Sequence, residues 1–214
     1  LGVVGFAGQF PGFVMGPIAG AFLDRWDRHR VLVVTQAVSM LQSFVLAFLT
    51  FTGHITVPAV VALSAVQGIV NAFDMPARQA FLVTIISDKE DLANAIALNS
   101  SMFNAARLIG PSVAGVIIAA SGEAWCFLLD GFSFFAVIIA LLSMENVRQA
   151  GRPGDQPGIM EQLLEGWRYV AGFRPIRSLM LLLSWLCLVA MPFSVLMPVF
   201  ADKILGGGPH TLGF

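Results

Sequence analysis

The chain has 214 residues, 57% of them hydrophobic and 12% charged, and a formal net charge of -1; its mean hydropathy is +0.82. Ordinary soluble domains carry roughly 25% charged residues, so a water-soluble domain is excluded, and without a basic surplus no nucleic-acid partner is expected. Cys126 and Cys187 lie in separate apolar runs with no CxxC spacing and no adjacent histidine, so neither a disulfide framework nor a metal site is indicated.

A membrane-spanning helix needs about 20 mainly apolar residues, and six stretches meet that requirement. They are Leu1–Leu23, Val31–Thr52, Val57–Ile86, Leu92–Ser121, Trp125–Met144 and Ile176–Phe200. The expected fold class is therefore all-α, a polytopic helix bundle whose solvent is the lipid bilayer. No basic segment with a cleavage site precedes the first run, which reads as a span and not as a signal peptide. The distribution of arginines among the connections puts Leu1 on the outer face, so at least one earlier helix is expected if the native N-terminus is inside. The third and fourth spans reach about 45 Å if fully helical, longer than the hydrocarbon needs, and Pro76 and Pro111 are the expected bends. Pro192 and Pro198 are expected to bend the last span in the same way.

The first span carries Gly8, Gly12, Gly16 and Gly20 at intervals of four, a ridge where a neighbouring backbone can approach closely. Ala106, Gly110 and Ala114 repeat that pattern on the fourth span. The first span ends abruptly in Asp24-Arg25-Trp26-Asp27-Arg28-His29-Arg30, which reads as a tight polar turn before Val31. Arg25, Arg28, Arg30, Lys89, Arg148, Arg152, Arg168, Arg174 and Arg177 fall in alternate connections, whereas the opposite set, at 53–56, 122–124 and 202–209, holds only Lys203. By the positive-inside rule the arginine-rich connections are cytoplasmic. The longest of them contains a Gly/Pro-rich linker at 149–158. Ile159, Leu163, Leu164, Trp167 and Val170 then recur at helical spacing and predict an amphipathic interfacial helix. Three regions follow: 1–145, most of a first helical bundle; 146–175, a cytoplasmic linker; and 176–214, the start of a second bundle.

Three motifs resemble those of the major facilitator superfamily of secondary transporters. Gly20-x-x-x-Asp24-Arg25-x-x-Arg28-x-Arg30 resembles that family's signature between its second and third helices, departing at Asp27, where the family has glycine, and at His29. Ser64-x-x-Gln67-Gly68 resembles the fourth-helix R-x-x-Q-G pattern with serine in place of arginine. Gly110-Pro111-x-x-Ala114-Gly115 resembles the G-P-x-x-G-G element of the fifth helix, which in the family marks antiporters and exporters. Ala93-Asn94-Ala95 and Phe127-Leu128-Leu129-Asp130-Gly131-Phe132-Ser133 look most like the branch that contains the enterobactin exporter and macrolide efflux proteins. The resemblance implies that the six spans are helices two to seven of twelve, in a multi-pass protein of the bacterial inner membrane. It also implies that Gly20, Asp24, Arg25, Arg28 and Arg30 form a conformational gate, Asp24 latching onto a helix of the second bundle.

Polar side chains at membrane depth are costly, roughly 2.5–3.5 kcal/mol for a charge at mid-bilayer. At 1.5 Å per residue from the outer ends, Arg107 and Asn71 lie about 21 Å deep, and Asp74 and Asn104 about 25 Å. Their common level predicts that Arg107 pairs with Asp74, with Asn71 and Asn104 completing the hydrogen bonds. Asp130 lies only about 8 Å below the outer face and is expected to hydrogen-bond locally or carry a proton. Gln67 is read as an interhelical hydrogen-bonder, and Arg78 as a residue snorkelling to the cytoplasmic interface.

The function these residues suggest is proton-coupled export of a small amphipathic compound, a drug or a siderophore, by alternating access. The candidate substrate and proton pathway comprises Asp74, Arg107, Asn71, Asn104, Asp130 and Gln67. The proton gradient is the energy source, no cofactor or metal is expected, and the protein is expected to work as a monomer. A non-transporting membrane scaffold is the alternative. An intramembrane enzyme is disfavoured, because His29, His54 and His210 all fall in connections and no G-x-S-x-G or H-E-x-x-H occurs.

Overall fold

The computed structural model describes residues 2–23, 25–86, 89–144 and 158–203. These residues form seven helices: α1 (Gly2–Leu23), α2 (Arg28–Phe51), α3 (Val57–Ile85), α4 (Lys89–Ser121), α5 (Glu123–Leu142), α6 (Ile159–Gly172) and α7 (Arg174–Lys203). The first five are each long and apolar enough to cross a membrane. Many large apolar side chains on them are exposed, among them Phe13 at 83% and Leu108 at 78%, as expected of surfaces that face lipid. The protein is an all-α membrane helix bundle.

The predicted spans match helices α1 to α5 and α7 closely, with one instructive shift. Arg28, His29 and Arg30 do not belong to a turn; they form the first turn of α2. The reason is Asp27, whose side chain accepts the backbone N–H of His29 at 3.0 Å and so caps the helix. A residue that departs from the family motif thus starts the helix early. The α1–α2 connection is short and closed by the N–H groups of Arg25 and Trp26, both bonded to the Phe22 carbonyl at 3.0 Å.

Packing is organised around α3, which lies against α1 and α2, while α5 packs on the other side of α2. The closest approach is between α1 and α3. A Cβ added at Gly68 would strike the backbone of Gly8, meeting its carbonyl oxygen and, at 2.9 Å, its carbonyl carbon. Gly8 and Gly12 would bring a Cβ to 3.6 and 3.7 Å of the carbonyls of Ser64 and Gly68. Half of the glycine ridge is therefore a packing surface. Gly16 and Gly20 have nothing within 4 Å of an added Cβ among the described residues, and neither have Gly110 and Gly115 on α4.

The apolar core sits at the arginine-bearing ends of four helices, where Leu23, Val31, Leu32, Ala77, Phe81 and Leu141 meet. Two polar links staple the same level. The Arg28 guanidinium donates to Thr84 Oγ1 at 3.2 Å, and His29 Nε2 donates to the Leu141 carbonyl at 2.8 Å. The second family departure, His29, is thus a strut between α2 and the end of α5. Towards the outer end, Gly131 of α5 admits the ring of Phe44, whose Cε1 would lie 2.6 Å from an added Cβ.

The outer turns use Gly53 and Gly122 at φ of 69° and 91°, backbone conformations that favour glycine. No described side chain of α4 is buried, and its main packing partner is α5. Helix α6 forms where the amphipathic segment is expected, exposes Met160, Leu164, Trp167 and Tyr169, and packs on α1 and α7. It meets α7 at 100° across Phe173, so when α7 crosses a bilayer α6 lies along its surface. The Gly/Pro linker lies outside the described residues, apart from Gly158.

Candidate functional site

A buried carboxylate in an apolar bundle must be satisfied internally, and Asp74 is. Its Oδ1 accepts from Thr35 Oγ1 at 2.8 Å and from Gln36 Nε2 at 2.7 Å, both on α2. Its Oδ2 accepts from Arg78 Nη2 at 2.7 Å, one turn further along α3. The two ends of this pair differ in exposure: the Asp74 side chain is 11% accessible and that of Arg78 56%. The anion is thus held inward against α2, while the guanidinium faces outward.

This geometry corrects one expectation and adds to another. Arg107 does not pair with Asp74; among the described residues it makes no ion pair or hydrogen bond, and it sits exposed on α4. Equal depth brings two side chains together only when their helices turn those faces towards each other, and α4 packs on α5. Arg78, read as snorkelling to the interface, is also the partner of Asp74, because a spacing of four residues stacks the two on one helix face.

Asn71 and Asn104 do not complete the Asp74 hydrogen bonds either. Asn71 Oδ1 accepts from Gln67 Nε2 at 3.2 Å, and Asn104 Nδ2 donates to the Ser100 carbonyl at 2.9 Å. They do share a cavity of about 430 Å³ with Asp74, which opens between α3 and α4 and is also lined by Met75, Arg78, Gln79, Asn99, Ser100 and Phe103. Four carboxamides and one ion pair therefore converge in a single recess at membrane depth. Arg107 is not among its lining residues.

Asp130 forms a separate site. Its Oδ2 accepts from Ser43 Oγ of α2 at 2.6 Å. Beside Ser43, the buried Gln42 Oε1 has no hydrogen-bond partner among the described residues. Gln67 behaves as an interhelical bonder, its Nε2 also reaching Ser39 Oγ at 3.4 Å.

The residues that motif reading passed over are those of α2. Thr35, Gln36, Ser39, Gln42 and Ser43 are all buried, and their spacing of one, three, three and one places them on one stripe of the helix. That stripe joins the Asp74 and Asp130 sites. The signal was in the sequence as a polar periodicity of 3.6 within an apolar run, a reversal of the usual amphipathic pattern.

Of the gate residues, Arg28 is tied to Thr84 and Arg30 Nε lies 3.5 Å from Asp27 Oδ2. Arg25 is exposed beside a second, mainly apolar groove of about 520 Å³ between α2 and α3. Asp24, to which the latch is assigned, lies outside the described residues. Gly110, Pro111 and Gly115 are exposed on α4.

An apolar bundle threaded by buried polar side chains that open onto a polar cavity has the make-up of a membrane transporter. The family comparison makes the class specific: residues 1–214 match the family described as transmembrane secretion effector, and the chain belongs to this family of the major facilitator superfamily. It is similar to the staphyloferrin A transporter of Staphylococcus aureus, at 26% identity over 100% of this chain and 53% of that protein. It is also similar to the enterobactin exporter EntS of Shigella boydii and of Escherichia coli, at 24% identity over 91% of this chain and 45% of each. The chain spans about half the length of the curated relatives it matches.

Proposed function

We propose that this chain supplies the first-bundle half of a proton-driven exporter of small amphipathic compounds, siderophores or drugs, which works by alternating access in the bacterial inner membrane. The observation that carries this reading is the Asp74–Arg78 pair beside the cavity between α3 and α4. Passive helix packing has no use for an ion pair and four carboxamides facing an open recess at membrane depth, where each unsatisfied polar group is costly. The names of the relatives, a staphyloferrin A transporter and an enterobactin exporter, support the substrate class, and the second supports the direction.

In this reading residues 1–145 are most of the first bundle, 146–175 the joint and 176–214 the start of the second. The bundles rock about the cavity, and the segment 24–30 latches one end of the cycle through Asp24. Gly110, Pro111 and Gly115 belong to the antiporter-like fifth helix. The energy source is the proton gradient, no cofactor takes part, and the working unit is a monomer. Proton coupling requires a group whose protonation differs between the two states, and Asp74 and Asp130 are the embedded carboxylates that fit. Asp74 couples directly to the cavity through Arg78, and Asp130 through the α2 stripe.

The test is pH-gradient-driven efflux from vesicles carrying the protein with Asp74→Asn or Asp130→Asn. At least one substitution is expected to lower gradient-driven efflux by about tenfold while substrate binding is retained. Full coupling in both variants would refute the assignment of these carboxylates.

A further inference from the structure

The second cavity, the groove between α2 and α3, is unlike the first. Its walls are Val31, Val34, Val38, Ile69, Val70 and Phe73, with Thr35, whose hydroxyl is bonded to Asp74, as the one polar residue among them; its charged end is closed by Arg25, Trp26, Asp27 and Arg30. From Arg30 to Val38 the groove runs about 12 Å along α2, from the cytoplasmic membrane surface into the hydrocarbon.

Three features define what fits. Apart from Thr35 the walls are branched aliphatic side chains and one aromatic ring on an exposed flank of two spanning helices, Val34, Val38 and Ile69 among them, so the occupant of the deep part is an alkyl chain. The mouth carries positive charge outward: the Arg30 side chain is 82% accessible and that of Asp27 only 18%. The Asp27 carboxylate is turned back to cap α2 through the His29 N–H and to touch Arg30, and the charged side chains that line the mouth are Arg25 and Arg30 against Asp27. Trp26, packed on Phe22 at 4.9 Å between ring centroids and 52% exposed, stands at the charged end of the groove, as amphipathic aromatic rings do where a span meets the headgroups. The polar-to-apolar order along the groove matches a phospholipid of the cytoplasmic leaflet, and the charge matches an anionic one.

We propose that this groove is a binding site for an anionic phospholipid, its phosphate on Arg25 and Arg30 and one acyl chain between α2 and α3. A lipid seated there bridges the α1–α2 turn and the two helices that supply every partner of Asp74. The lipid composition of the membrane therefore acts on the polar hub through the turn.

Trp26 supplies the probe. In a variant retaining only this tryptophan (Trp125→Phe, Trp167→Phe, Trp185→Phe), fluorescence is measured in phosphatidylcholine vesicles doped with brominated phosphatidylglycerol or with brominated phosphatidylcholine. Half-maximal quenching is expected at a several-fold lower mole fraction of the brominated phosphatidylglycerol. Arg25→Gln with Arg30→Gln is expected to make the two lipids equal. Val34→Phe, which fills the groove and leaves the charges in place, is expected to weaken quenching by both, and this second variant keeps the test independent of any unfolding caused by loss of the arginines. Equal quenching in the parent, preference surviving the double substitution, or displacement of the lipid by millimolar inorganic phosphate or by a cationic amphiphile would each overturn the proposal.

Discussion

Asp74 illustrates how a single carboxylate becomes tolerable in a membrane bundle. Its Oδ1 takes two neutral donors from α2 and its Oδ2 a cationic one from α3, so the charge is distributed over three partners before any ligand arrives. The two neutral donors are not equivalent. The single hydroxyl proton of Thr35 is shared between Asp74 and the Leu32 carbonyl at 2.9 Å, whereas the Gln36 amide donates without a competing acceptor. Gln36→Leu is therefore expected to destabilise the protein by about 1–2 kcal/mol and Thr35→Val by less, as read from thermal unfolding in detergent. The reverse order would show that the hydroxyl is the main donor. Asp27→Ala removes the cap of α2 and is expected to cost about 0.5–2 kcal/mol in the same assay. At this scale the sequence showed which residues were costly but not whom they faced. Depth along a helix is legible from residue counting, whereas the angle around the helix is set by tertiary packing; Asp74 accordingly paired with Arg78 on its own face, and Arg107 on α4 remained apart.

The elements were the most legible level, because membrane burial demands long apolar helices and little else satisfies the backbone. Val57–Ile85 and the end of α4 at Ser121 fall where hydropathy places them. The start of α2 moved because an aspartate can end a turn by capping a helix, and the motif pattern, which has glycine there, does not reveal that. The glycine ridge of α1 was half informative: its period announced a packing face, and only the approach of α3 decides which glycines are used. Gly68→Ala is expected to force α1 and α3 apart, lowering the midpoint of thermal unfolding by several degrees, since the added methyl meets backbone atoms of Gly8 that cannot rotate away. Gly16→Ala, open on that face, is expected to be neutral or to stabilise α1 by up to about 1 kcal/mol through helix propensity. Equal effects at both positions would contradict the assignment of the α1–α3 contact. The α2 stripe shows the converse limit. Its buried hydroxyls and amides repeat with helical period, yet a polar stripe inside an apolar run carries no family motif and is easily taken for surface.

Across the whole molecule, four of the five spanning helices, α1, α2, α3 and α5, converge at one end on an apolar core, and a polar recess lies between α3 and α4. The proposed alternating access requires such a recess to open to each side of the membrane in turn. Asn99 and Asn104, on the α4 side of the recess, offer positions where access can be read without disturbing the Asp74–Arg78 pair. With Cys126 and Cys187 replaced by serine, Asn99→Cys and Asn104→Cys would each be labelled in vesicles by membrane-impermeant thiol reagents applied from one side at a time, with and without a proton gradient. The account predicts labelling from the cytoplasmic side that falls as outer-side labelling rises when the gradient is imposed. Labelling confined to one side under every condition would contradict it.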